Sequence, residues 1–331
     1  MQPTSAAQFT AAANGTVPPL EQVRPDVWSL AAPMPRGHIP YSLLYLLRDA
    51  DGGLHVIDPG WDSDENWTRF TSAVEHIGSR LGDVRSIVAT HLHPDHLAMA
   101  DRMRAATGAP LLLHQAEQRA LVAQHSLFES ADDVSTQLDA WGVPEDRRAE
   151  MVALSHRTPA GMPKSSDATI ADHERLEIPG FELVVELTPG HTPGSICLRD
   201  DERGFMFTGD HILPTMHAGL GLGGLTKTNA LADYLHALSR VHAYPDHEAL
   251  PGHGYRFRGV AERASQHEEH HLRRNGEVAH VLASVEEPTI WEIASRLSWT
   301  AGWDNLRGFF VYSALLQTAM HRDYLLRNDP A

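Results

Sequence analysis

The sequence predicts an α/β protein with a helical insertion and a small helical tail, and three observations predict it. Short apolar runs of β character recur between residues 22 and 113 and again between 181 and 250, separated by amphipathic helical stretches. Residues 115–170 are polar and follow helical periodicity instead. Beyond about residue 260 the strand signal disappears. At 331 residues the chain has room for one large domain and a small one. We divide it into a flexible arm over 1–20, a main domain over 21–260 carrying the insertion 115–170, and a tail over 261–331.

The arm is rich in Ala, Thr and Pro and carries no hydrophobic period. Val27–Leu30, Ser42–Arg48 and Leu54–Ile57 then read as strands, the last two joined by the turn Asp51-Gly52-Gly53. Asp58-Pro59-Gly60 ends that pattern, and Asp64 to Arg80 reads as an amphipathic helix. Ser86–Ala89 is a short strand that leads into Thr90-His91-Leu92-His93-Pro94-Asp95-His96. A helix closed by Gly108 and a strand at Leu111–Leu113 follow. The insertion, broken at Gly142-Val143-Pro144 and Pro159–Pro163, reads as a helical cap over the pocket. Strands resume at Phe181–Leu187, Ser195–Leu198 and Phe205–Phe207, then a Gly-rich loop, Gly219–Gly224, precedes a helix from Leu231 to His242. Glu248–Leu250 is the last strand, and Ile290–Leu297 and Leu306–Leu326 are the clearest helices of the tail.

Composition bounds the function. A formal net charge of −16 repels phosphate backbones, so a nucleic-acid partner is disfavoured and a small-molecule substrate expected. No stretch approaches the roughly 20 apolar residues that span a bilayer, and no charge-led apolar leader is read at the start, so a cytoplasmic protein with no membrane partner is expected. Cys197, the one cysteine, excludes an internal disulfide and reads as a buried thiol. A homodimer stays open.

The 22 histidines matter more, because four potential ligands crowd into six residues at His91, His93, Asp95 and His96. In an extended or turned segment, residues two apart point the same way, so His91 and His93 can face one point. Imidazole and carboxylate both suit zinc, and four such groups are too many for one tetrahedral ion. Three later turns each place a further ligand type at a strand end: His191 in Pro189-Gly190-His191-Thr192-Pro193-Gly194, Asp210 in Thr208-Gly209-Asp210, and His253 in Pro251-Gly252-His253-Gly254.

In this order and spacing, residues 22–260 resemble the metallo-β-lactamase superfamily. The resemblance implies an αββα sandwich with two metal ions at one edge. It implies that His91, His93 and His191 hold one divalent ion, that Asp95, His96 and His253 hold the other, and that Asp210 bridges them. Zinc is the first expectation, with iron or manganese as alternatives. Asp58 matches the family's structural aspartate behind the metal loop. Asp210 stands where the commonest lactamases have cysteine, and His93 where oxygen-reducing di-iron members have glutamate. The set is that of the glyoxalase II-like thioesterases and lactonases and of RNA-processing members alike. The tail, through Ile290-Trp291-Glu292-Ile293-Ala294, resembles the small winged-helix domain of the β-lactamase-like-2 branch.

The expected activity is hydrolysis of a small ester, thioester, lactone or amide by metal-activated water, with Asp95 and Asp210 orienting the nucleophile and shuttling its proton. The alternatives are an endoribonuclease of the β-lactamase-like-2 type and a mononuclear iron persulfide dioxygenase. His211, Thr215, Met216, His217, Lys227 and Tyr255 are candidates to line the pocket.

Overall fold

The computed structural model describes residues 1–35, 39–127, 131–155, 162–224 and 228–328. Its strands are β1 (Gln2–Pro3), β2 (Glu21–Arg24), β3 (Val27–Pro33), β4 (Tyr41–Arg48), β5 (Leu54–Ile57), β6 (Val84–Val88), β7 (Leu111–His114), β8 (Ala168–Ile170), β9 (Leu183–Leu187), β10 (Ile196–Asp200), β11 (Phe205–Gly209), β12 (Glu248–Pro251) and β13 (Phe257–Arg258). One sheet runs β2 to β8 in sequence order, and the other runs β1-β13-β12-β11-β10-β9. Both are mixed: β5 to β8 are parallel, as are β11 and β12, and the remaining neighbours are antiparallel.

The side chains of β4 show how the layers form. Leu43, Tyr45 and Leu47 face the second sheet and pack with Phe205 and Phe207, whereas Leu44 and Leu46 face outward onto Phe70 and Met103. Those outer partners come from α2 (Asp64–His76) and α4 (Ala100–Thr107). Phe70, Ala73 and Val74 form the buried stripe of α2, at the i, i+3, i+4 spacing of one helix face. Across the sandwich, Cys197, Met206 and Phe257 turn away from the first sheet onto α8 (Ala230–Val241) and α9 (Val260–Ser284). A strand buried on both faces reads as a continuous apolar run rather than an alternation, which is how these strands read in the sequence. The result is the expected αββα sandwich.

Three expectations about organisation are corrected. Residues 1–20 are not a loose arm: β1 pairs with β13, and Ser5 caps α1 (Ala6–Asn14), where fully buried Gln8 donates to Ser29 Oγ at 2.8 Å and accepts from Arg256 N at 3.0 Å. Ala-rich, weakly amphipathic sequence gives little periodic signal, so long-range contacts decide that helix. Residues 115–170 are also not one cap. The first helix, α5 (Gln115–Leu127), packs into the main core through Leu121, and β8 is an edge strand of the first sheet.

Only α6 (Ala131–Ala140) and α7 (Glu145–Ser155) stand apart, and their apolar faces meet the tail. Leu138, Trp141 and Met151 share one cluster with Val278 and Val281 of α9, with Ile290 and Ile293 of α10 (Ile290–Ser295), and with Val311 and Leu315 of α11 (Phe309–Asn328). Residue 260 is no boundary either, because α9 begins in the sandwich with Val260 and Ala264 and ends in that second cluster. Among the described residues no strand follows Arg258, so the winged-helix likeness has its helices without its wing.

Candidate metal centre

The ligand candidates gather at one edge of the sandwich because each follows the C-terminal end of a strand. His91 and His93 lie in the turn after β6, and Asp95 and His96 on the one-turn helix α3 (Pro94–Leu97), started by Pro94. His191 lies between β9 and β10, Asp210 directly after β11, and His253 two residues after β12.

The five imidazoles share one arrangement: one ring nitrogen is anchored to the protein and the other points inward. His91 Nδ1 lies 3.0 Å from Thr90 Oγ1, and His93 Nε2 lies 3.2 Å from the Leu222 carbonyl. His96 Nδ1 meets Asp58 Oδ2 at 2.9 Å, His191 Nδ1 meets the Gly219 carbonyl at 2.5 Å, and His253 Nδ1 meets the Tyr41 carbonyl at 2.8 Å. Anchors of this kind select the tautomer and aim the free lone pair. Inward, His93 Nδ1 lies 3.1 Å from His91 Nε2 and 2.9 Å from His191 Nε2, while His96 Nε2 and His253 Nε2 are 3.2 Å apart.

The two carboxylates complete two adjoining sets. Asp95 Oδ2 lies 3.1 Å from His253 Nε2, beside His96. Asp210 stands between the sets, with Oδ1 3.3 Å from His96 Nε2 and Oδ2 3.6 Å from His191 Nε2. His91, His93 and His191 form one group of converging donor atoms, and Asp95, His96 and His253 form another, with the atoms of each within 4.8 Å of one another. Gly252 makes the closeness possible, since a Cβ there would stand 2.5 Å from the His96 ring and 2.6 Å from Asp210 Oδ1.

Electrostatics agree with a cation site. Burial holds His91, His93 and His191 below the ordinary imidazole value, His93 at about 4, so their lone pairs are free. Burial also opposes charge on His96 and His253, yet Asp210 and Asp95 outweigh it and raise both, His253 to about 10. Burial of Asp95 and Asp210 is outweighed in turn by those imidazoles, which hold both carboxyls low. Protons on His96 and His253 thus balance the carboxylates where a cation would otherwise do so. Asp210 Oδ1, though buried, makes no well-aligned hydrogen bond among the described residues; its nearest charged neighbour is His96 Nε2 at 3.3 Å. A buried carboxylate oxygen without a well-aligned hydrogen bond fits a metal ligand, and the imidazole–carboxylate donor set fits zinc, iron or manganese.

The structure sorts the other candidates. Thr90 and Glu117, which the sequence does not single out, support the site. Thr90 N and Oγ1 donate to the two Asp58 oxygens at 2.6 and 2.8 Å, and Glu117 accepts from two backbone amides of the ligand turns. The Gly219–Gly224 loop is laced onto the centre through its Gly219 and Leu222 carbonyls. His211 is buried beside Tyr234, His217 stacks on His270 at 3.9 Å, and Tyr255 packs against Phe9 at 5.0 Å. The Leu213 and Met216 carbonyls are held by Arg263. Lys227 lies outside the described residues. A further group, Asp172, His173 and Glu186, is already neutralised by Arg199 and Arg240, with Arg240 Nη2 2.6 Å from Glu186 Oε2.

Comparison with known proteins places this geometry. The chain resembles the β-lactamase-like protein 2 homolog of Caenorhabditis elegans, 28% identical over 40% of this chain and 43% of that one, so the match spans under half of the relative. It also resembles the acyl-coenzyme A thioesterase MBLAC2 of Bos taurus, 27% identical over 64% of this chain and 70% of that one. Among solved structures, a metallo-beta-lactamase family protein from Thermus thermophilus superposes with a TM-score of 0.76 at 25% identity, over 92% of this chain and 95% of that one. The sequence profile of the metallo-beta-lactamase superfamily matches residues 40–253, a span that holds all seven converging side chains, and the chain belongs to that superfamily.

Proposed function

We propose that the protein is a zinc-dependent hydrolase with a two-metal centre that cleaves a small ester, thioester, lactone or amide, a thioester foremost. The observation that carries the reading is the set of five imidazoles, each anchored through one nitrogen and turned inward at the other, beside Asp95 and Asp210. Divalent ions bound there supply an activated water and Lewis acidity at neutral pH. The residues do the rest. His91, His93 and His191 would hold one ion and Asp95, His96 and His253 the other, with Asp210 standing between the two sets. Asp95, the more exposed of the two carboxylates, would orient the attacking water and accept its proton. No serine or cysteine nucleophile is needed; Cys197 is fully buried, and that burial pushes its thiol up to about 12.

A relative named as an acyl-coenzyme A thioesterase supports the thioester emphasis. The net charge of −16 weighs against RNA. Two adjoining ligand sets weigh against a single-iron oxygenase.

The test is metal analysis together with a panel of acyl thioesters, esters and lactones run beside a labelled RNA. We expect about two zinc ions per chain and thioester hydrolysis that chelation abolishes. His93→Ala and Asp210→Ala should lower turnover by several orders of magnitude in folded protein. Full activity after chelation, or cleavage of RNA alone, defeats the reading.

A further inference from the structure

We propose that Glu117 is a positioning residue for the three-histidine set: its carboxylate ties the His91–His93 turn to the His191 turn and so sets the spacing of those imidazoles. The inference rests on the metal-centre reading above.

Glu117 sits in the first turn of α5, which starts directly where β7 ends. It is fully buried. Its Oε1 accepts from the backbone amide of Leu92 at 2.7 Å, and its Oε2 accepts from the backbone amide of Gly194, also at 2.7 Å. Leu92 lies between His91 and His93, and Gly194 closes the turn that holds His191. One carboxylate therefore spans two segments that belong to different sheets.

Two further observations favour a positioning role over plain packing. A buried carboxylate is costly unless its oxygens are well bonded, and among the described residues no arginine or lysine pairs with this one. The approach is also backbone to backbone, since a Cβ on Gly194 would stand 2.1 Å from Glu117 N. Among the described residues the same seam is also crossed by Ile196 N, which donates to the Thr90 carbonyl at 3.0 Å. Asp58 does a different job, because its oxygens reach Thr90 and His96 and not the His191 turn. The two carboxylates thus support different halves of the centre.

The experiment compares the full chain with Glu117→Gln and Glu117→Asp. The amide of Gln puts an N–H group against a backbone N–H, and Asp retracts the carboxylate by one methylene. Zinc affinity of the metal-free protein is read by competition against a chromophoric chelator, and hydrogen exchange is followed at the Leu92 and Gly194 amides. We expect zinc to bind about 10–100-fold more weakly and both amides to exchange faster, in protein whose metal-free melting temperature falls by only a few degrees. Wild-type zinc affinity in a folded variant overturns the proposal. So do wild-type Leu92 and Gly194 amides that exchange as freely as exposed ones, and so does loss of the fold in both variants, which would make Glu117 a folding residue. Zinc bound equally by wild type and variants removes this role alone. A wild-type chain that binds no zinc removes the metal-centre reading with it.

Discussion

The backbone amide of Trp291 donates to the carbonyl of Trp141 at 2.9 Å, which stitches the inserted helices to the tail. The same seam carries bonds from Arg147 to the Leu306 carbonyl at 2.9 Å, from Gly308 N to Glu150 at 2.7 Å, and from Tyr312 to Gln137 at 3.0 Å. Insertion and tail are therefore one helical module, with α11 resting on the Gly219–Gly224 loop: a Cβ on Gly221 would meet Met320 Sδ at 2.9 Å.

Met151 and Trp141 are buried in that shared core. Met151→Ala should cost about 2–5 kcal/mol of stability in urea unfolding, leaving zinc content and the ranking of acyl substrates unchanged. A changed ranking at unchanged stability would return these residues to the role of a substrate lid.

Asp58 holds the His96 ring and Thr90 together from a left-handed backbone, φ 56°, that asparagine also tolerates. Asp58→Asn should therefore fold, yet lose the acceptor that aims His96. Zinc affinity should drop about 10–100-fold, and chelation should lower the melting temperature less than it does in wild type, because ligand stabilisation scales with the logarithm of affinity. Calorimetry with and without chelator checks both.

Burial raises the Glu117 carboxyl from 4.5 to about 7, against the bonds from Thr192, Leu92 and Gly194 that lower it. A raised folded-state pKa means that the folded chain holds the proton more tightly. Its contribution to stability is thus full below pH 4.5 and lost as pH rises through about 7. The stability of metal-free wild type relative to Glu117→Gln should fall across that window, by up to about 3 kcal/mol. A difference that stays flat with pH excludes the shift.

Cys197 packs between the second sheet and its outer helices, with Sγ 3.6 Å from Thr188 Oγ1. A thiol reagent at pH 8 should leave it unmodified until the chain unfolds. Cys197→Ser should keep its activity while losing about 1–3 kcal/mol of stability, the range for a buried hydroxyl with poor partners. Rapid labelling of the folded protein would show the site to be open.

By itself the sequence determined what depends on neighbours along the chain. His91, His93, Asp95 and His96 share one turn, and His191, Asp210 and His253 each follow a strand whose apolar run and Pro or Gly punctuation are local signals. The strands facing two buried layers were legible for the same reason, and so was the sandwich they imply. Only the tertiary structure decided the partners. The His253 ring is anchored by Tyr41, 212 residues away in sequence, and the His93 ring by Leu222, 129 residues away. Glu117 carries no periodicity or spacing that marks it, since the two partners that join the turns are the backbone amides of Leu92 and Gly194, a group that every residue but proline possesses. The helices of the insertion and tail showed their apolar faces in the sequence but not what those faces meet. Burial of apolar surface is non-directional, so it sets which residues go inside without naming the partner, and only the fold shows α6 and α7 meeting α9, α10 and α11.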